Sequence, residues 1–197
     1  MECDTESLIK RKAKELYFSK GVFDASTQEI ADFAGVNRTL VNYYFRSKKN
    51  LFQIVYSETI EKMKKQYATI YIAHKPFRDK VEDIIDFTIQ FKEKYPYLEI
   101  FNIQEFNKPN PEDIFIPKQS EEIKVFLKEI EEEMEKGTLE KYEPINFFIN
   151  IISLISFPMV MKTLFTGIFN IESEKDYQRI YKQRKEMAMT ILFKNKN

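Results

Sequence analysis

The sequence holds no tryptophan, one cysteine, one histidine and only four glycines in 197 residues, and its formal charge is zero. Each shortage excludes something. A lone thiol, Cys3, cannot form an internal disulfide, which fits a reducing compartment and an expected cytoplasmic location. Nothing in the sequence is seen to hold a Cys3 thiolate, so it is not assigned a redox role. His74, the single histidine, stands beside Pro76 at the end of a helical pattern, and no Cys/His cluster accompanies it. Neither a metal site nor His-dependent catalysis is expected from such a position. No phosphate-cradling glycine loop or nucleophile motif occurs, so no cofactor and no enzymatic activity are expected. The opening MECDTESLIKRK starts acidic and lacks a long apolar stretch, and is not read as a secretory signal.

What is present favours helices. With so few glycines, 31% charged residues and no sustained alternating run, the chain reads as all-α, and its 43% hydrophobic content supports one or two globular domains. The chemistry concentrates in residues 26–52, STQEIADFAGVNRTLVNYYFRSKKNLF. Ser26 and Glu29 have the spacing of a capping box, in which each side chain satisfies a free backbone N–H at a helix start. Ile30, Ala31 and Ala34 form a small apolar face. Gly35 is placed to end that helix with positive φ, Val36 fills the turn, and Asn37 suits the N-cap of the next helix. There Val41 and Phe45, four apart, face inward and leave Arg38, Thr39, Asn42 and Tyr43 outward. Those outward residue types match nucleic acid: Arg38 can neutralise a phosphate or bond guanine bidentately, Asn42 can pair with adenine, and the two hydroxyls suit phosphate oxygens. An ordinary solvated helix face is the competing reading.

From about Lys10 to Tyr56 the order and spacing of these residues resemble the N-terminal DNA-binding domain of TetR-type transcriptional regulators. ELYFSKGVFDAS resembles that family's first helix, glycine turn and Ser/Thr cap. IADFAGVNRTLVNYYFRSKKNL follows its second helix, Ala-Gly-Val turn, recognition helix, Tyr-Phe, Ser-Lys and leucine. The resemblance implies phosphate contacts from Thr27, Tyr44 and Lys48. A hydroxyl with free backbone N–H groups at a helix start, and a full lysine charge, agree with that role. Tyr44 has a second reading, as packing beneath the recognition helix. Thr39 stands where the family often has glycine and Asn42 where an aromatic is common, so the family's base preference does not carry over. Residues 1–50 carry nine Lys and Arg against seven Asp and Glu. On double-stranded DNA such a mild excess calls for paired domains and specific contacts rather than a broad basic patch.

Beyond residue 50 the pattern stays helical. Lys48 to about Tyr71 reads as one long helix with Leu51, Val55, Ile60, Met63 and Tyr67 near helical spacing, broken by Pro76. Phe77 to Lys94 places Val81, Ile84, Ile85, Thr88 and Phe91 on one face, and Pro96 ends it. A short aromatic segment, YLEIFNIQEF, precedes a loop marked by Pro109, Pro111 and Pro117. Gln119 to Lys136 carries Ile123, Phe126, Leu127, Ile130 and Met134 opposite a Glu/Lys-rich face, closed by Gly137. Residues 145–169 are the most hydrophobic part, long enough to raise a membrane-spanning reading. Asn146, Asn150, Ser153, Ser156, Pro158 and Lys162 interrupt the run, and a charge inside a bilayer is costly, so a buried helix and no membrane are expected. The last helix opens at Ser173 and Asp176, and Tyr177, Ile180, Tyr181, Arg184, Met187, Ala188, Ile191 and Leu192 form its stripe.

The resemblance implies a division into a helix-turn-helix domain at 1–47 and a helical ligand-binding and dimerisation domain at 48–197, with residues 145–169 and the last helix pairing two copies in a homodimer. It also implies that several of Tyr67, Tyr71, Phe87, Phe91, Phe101, Phe106, Phe157, Met161 and Phe165 line a cavity for a small, largely apolar inducer. Pro158 would open that space by kinking its helix and freeing a carbonyl. Large side chains of this kind also fill ordinary cores. The expected function is ligand-responsive, sequence-specific DNA binding, usually repression in this family; a helical protein acting on a protein or nucleoid partner is the alternative.

Overall fold

A computed structural model describes residues 2–108, 120–171 and 173–193, with side chains from residue 5. The proline-marked loop at 109–117 and the Cys3 side chain lie outside the described residues. Among those residues the chain is helical, without strands. The helices are α1 (Glu2–Lys14), α2 (Thr27–Ala34), α3 (Arg38–Phe45), α4 (Lys48–Tyr71), α5 (Phe77–Lys94), α6 (Pro96–Phe106), α7 (Glu121–Glu135), α8 (Pro144–Val160), α9 (Lys162–Ile168) and α10 (Glu174–Leu192). They form two compact units: the described residues within Met1–Lys65 and Phe91–Ile116, and those within Gln66–Gln90 and Pro117–Asn197. This grouping is one of packing, and its bounds differ from the 1–47 and 48–197 that the resemblance implies.

In the first unit α1 continues as a widened π-turn over Glu15–Ser19. Lys20 N–H reaches back to Glu15 O and Val22 N–H to Leu16 O, each at 3.1 Å. Three consecutive side chains here, Leu16, Tyr17 and Phe18, are buried, and the wider turn sets them over a narrower arc than the 100° steps of an α-helix would. Gly21 ends the element at φ +76°. Phe18 then packs with Phe23, Phe52, Tyr56 and Tyr95 at ring separations of 6.0–6.4 Å. The segment YLEIFNIQEF forms α6, with Pro96 at the first helical position, where its missing N–H costs nothing.

The second unit is built on Phe126, Ile130, Phe147, Ile151 and Ile155 from α7 and α8, with Val81, Ile84 and Ile85 of α5 and Ala188 and Leu192 of α10. α7 starts at the Ser120 cap, and Gly137 at φ +75° follows its end, as the sequence indicates for the glycine. Lys80 is buried but paired, 2.6 Å from Glu129 and 3.3 Å from Tyr71 O. The apolar run at 145–169 is not one element: α8 and α9 meet at a 63° bend, and no single helix among the described residues is long and apolar enough to cross a membrane. Pro158 has no N–H for the carbonyl of Leu154, four residues back. Arg184 of α10 donates to that carbonyl at 2.7 Å, and the Tyr177 hydroxyl donates to Pro158 O at 3.3 Å.

Candidate nucleic-acid interface

The helix pair forms as its sequence dictates. Ser26 Oγ accepts from Glu29 N–H at 3.2 Å, and Glu29 Oε2 accepts from Ser26 N–H at 2.7 Å. Hydrogen bonds to the carboxyl from the Ser26 backbone, and then from the Ser26 side chain, hold Glu29 below its usual range. Gly35 turns the chain at φ +68°. Asn37 Oδ1 then accepts from Thr39 N–H at 2.8 Å and starts α3. Val41 and Phe45 are each 1% exposed, so α3 is anchored from beneath. Arg38, Thr39, Asn42 and Tyr43 are exposed above them, Tyr43 at 70%. The structure therefore presents these four side chains together on one outward face of α3.

The flanking positions are more varied. Thr27 is the first residue of α2 and is half-buried. Tyr44 is half-buried against the first core, with its ring 5.1 Å from that of Tyr43 and 6.2 Å from Phe45. Lys48, the first residue of α4, donates to Asp24 O at 3.0 Å. One of its three ammonium donors thus ties the start of α4 to the turn before α2, leaving the charge in place near the end of α3.

Only Arg46 and Ser47 separate α3 from α4. Arg46 adopts φ +61° and ψ −41°, and Ser47 N–H bonds Phe45 O at 2.6 Å across it. That is a γ-turn of the rare, strained hand. Asn50 restrains it twice, donating from Nδ2 to Phe45 O at 3.0 Å and from its backbone to Ser47 Oγ at 3.1 Å. The sequence gives no local sign of this conformation, since arginine has no preference for positive φ. The available signal was the spacing: two helices abutting within two residues force a tight turn.

The nine aromatic and sulfur-bearing side chains read as a ligand lining fall into three groups. Tyr67, Tyr71 and Phe87 lie together in the second unit, Tyr67 meeting Phe87 edge-on at 4.7 Å and Tyr71 stacking on Phe126 at 5.0 Å. The Tyr67 hydroxyl lies 2.8 Å from Thr88 Oγ1. Phe91 and Phe101 belong to the first unit's core, Phe91 5.2 Å from Tyr95 and Phe101 stacked on Phe23 at 5.0 Å. Phe106 is exposed. The helical phase of α6 decides this, turning Leu98 and Phe101 inward and Phe106 outward. Phe157, Met161 and Phe165 lie at the α8–α9 bend, where Phe157 is 58% exposed and 6.0 Å from Phe165.

Comparison with known proteins places this geometry. Residues 9–55 match the family described as bacterial regulatory proteins, tetR family. The fold of the chain is similar to that of the hemolysin II transcriptional regulator HlyIIR, at 17% identity over 99% of this chain and 100% of that one, with a TM-score of 0.59. A HlyIIR mutant with residues replaced by a linker gives 17% identity, the same coverage and a TM-score of 0.63. A TetR-family transcriptional regulator from Haemophilus influenzae is 15% identical over 93% of this chain and 96% of that chain, with a TM-score of 0.59. No curated protein matches the sequence.

Proposed function

We propose that this chain, whose residues 9–55 match the family described as bacterial regulatory proteins, tetR family, is a DNA-binding transcriptional regulator of that type: a cytoplasmic repressor released from a palindromic operator by a small, largely apolar inducer. The observation that carries the reading is the exposed face of α3, where Arg38, Thr39, Asn42 and Tyr43 stand above the buried Val41 and Phe45. Arg38 and Asn42 are assigned to base edges in the major groove; Thr27, Thr39, Tyr43, Tyr44 and Lys48 are assigned to phosphates.

One short recognition helix reads few base pairs, whereas two held about 34 Å apart read a palindrome with multiplied affinity. A homodimer through α8 and α10 supplies the second. Ile145, Ile149 and Phe157 of α8 and Ile180, Met187 and Ile191 of α10 are exposed in the single chain, and apolar exposure on two neighbouring helices supports an interface there. The inducer is assigned to the second unit, near Tyr67, Tyr71 and Phe87. α4 begins two residues after α3 and ends among those rings. A ligand that displaces α4 would change the separation of the paired recognition helices. Typical coupling of about 1–3 kcal/mol would loosen DNA binding by about 5- to 150-fold.

Selection from a random pool of duplexes tests the reading. An enriched palindrome bound by a dimer in a salt-dependent way is the expected result. Absence of preference for any duplex would remove the regulator assignment.

A further inference from the structure

We propose that Arg46 is an additional phosphate contact, presented to the DNA backbone by the strained turn that joins the recognition helix to α4. The assignment rests on the DNA-binding reading above. Arg46 is exposed, and among the described residues its side chain has no hydrogen bond or ion pair. The neighbouring cation at this turn, Lys48, already spends one donor on Asp24 O. Arg46 therefore offers its full fork of donors to an outside acceptor.

The backbone gives the second argument. A non-glycine residue at φ +61° with the 2.6 Å Phe45–Ser47 bond across it persists only where its surroundings fix it. Here they do: Phe45 is held in the core, and Asn50 bonds both Phe45 O and Ser47 Oγ. Glycine would adopt the same turn without strain. An arginine on this frame leaves the C-terminal end of α3 at a fixed position, next to the face that carries Arg38, Asn42 and Tyr43. The ligand chemistry that suits an unpaired, exposed guanidinium there is a phosphodiester oxygen pair.

The test uses the full-length protein and the duplex recovered by the random-site selection, with binding measured by anisotropy from about 50 to 200 mM salt. Arg46→Gly relieves the turn, so its unfolding midpoint should rise or hold while its affinity falls. The plot of log K against log salt should flatten by about 0.9 per protomer, and by the same amount on every duplex. Arg46→Lys should keep the wild-type slope. A wild-type slope in Arg46→Gly overturns the assignment while leaving the regulator reading intact. A loss confined to one base pair also overturns it, since that result would make Arg46 a base contact. Failure of the wild-type protein to bind any duplex removes both.

Discussion

Gly21 answers to two demands that no other residue meets together. Its φ of +76° lies where side chains are rarely tolerated, and a Cβ built on it would come 2.7 Å from the Tyr97 ring. Tyr97 is partly exposed and can give way, so the backbone is the firmer constraint. Gly21→Ala should destabilise the protein by about 1–3 kcal/mol, read from denaturant unfolding; an unchanged midpoint would mean the turn relaxes freely. Arg38 and Asn42 make the opposite kind of residue-scale prediction. They touch nothing that stability needs, so Arg38→Ala and Asn42→Ala should leave unfolding unaltered. Each should relax base preference at one operator position by about 1–3 kcal/mol. Uniform weakening on all sequences would demote either residue to a phosphate contact. Lys48→Ala should weaken binding uniformly, and its bond to Asp24 O adds a small loss of stability that Arg38 lacks.

At the scale of elements, α2 and α3 are specified almost residue by residue. The capping box, the left-handed glycine and the Asn37 cap were all readable because each depends on neighbours within four positions. Ser26→Ala should cost about 0.5–2 kcal/mol and lower DNA affinity through fraying of α2. α8 is a different case. Pro158 announces a freed carbonyl, but only the fold shows that Arg184, 30 residues on, takes it. Arg184→Met should leave Leu154 O without that donor at a cost of about 1–3 kcal/mol. Pro158→Ala restores a backbone N–H to the same carbonyl and should suppress much of that cost in the double variant. Additive losses in the urea-unfolding cycle would show that the two groups do not share the carbonyl. Pro96 ends α5 as the sequence indicates and also starts α6, a second role that the sequence reading of YLEIFNIQEF as a short aromatic segment did not assign.

For the whole molecule, buried ionisable groups set how stability follows pH. Burial pushes the Lys92 ammonium down to about 7. Its contact with Glu99 acts in the other direction. Against an unfolded value of about 10.4, the folded chain has shed a proton that the unfolded chain keeps. Stability should therefore rise from about pH 7 toward pH 10. Beyond that the sign reverses, because Tyr17 and Tyr56, pushed up to about 12 by burial, stay protonated in the folded state after the unfolded chain has ionised. Urea midpoints across this range should climb and then fall, and Lys92→Met should remove the climb. A flat profile in the wild-type protein would contradict the Lys92 argument. The proposed dimer adds a second whole-molecule prediction. Ile149→Asp should shift sedimentation to a monomer and abolish tight operator binding while leaving the helical signal in place. A dimer that survives this change would place the interface elsewhere.

The capped pair at 26–45, the exposed face of α3 over Val41 and Phe45, and the long α4 were determined by sequence alone, because periodicity and caps act over one or two turns. Tertiary structure alone decided the rest: the widened end of α1, the partner of the Leu154 carbonyl, and the separation of Phe101 from Tyr67 into different cores. Those outcomes depend on which distant side chains arrive at the same place. Spacing along the chain carries no information about such meetings, so a list of large aromatic residues could not be sorted into core and lining before the helices were packed.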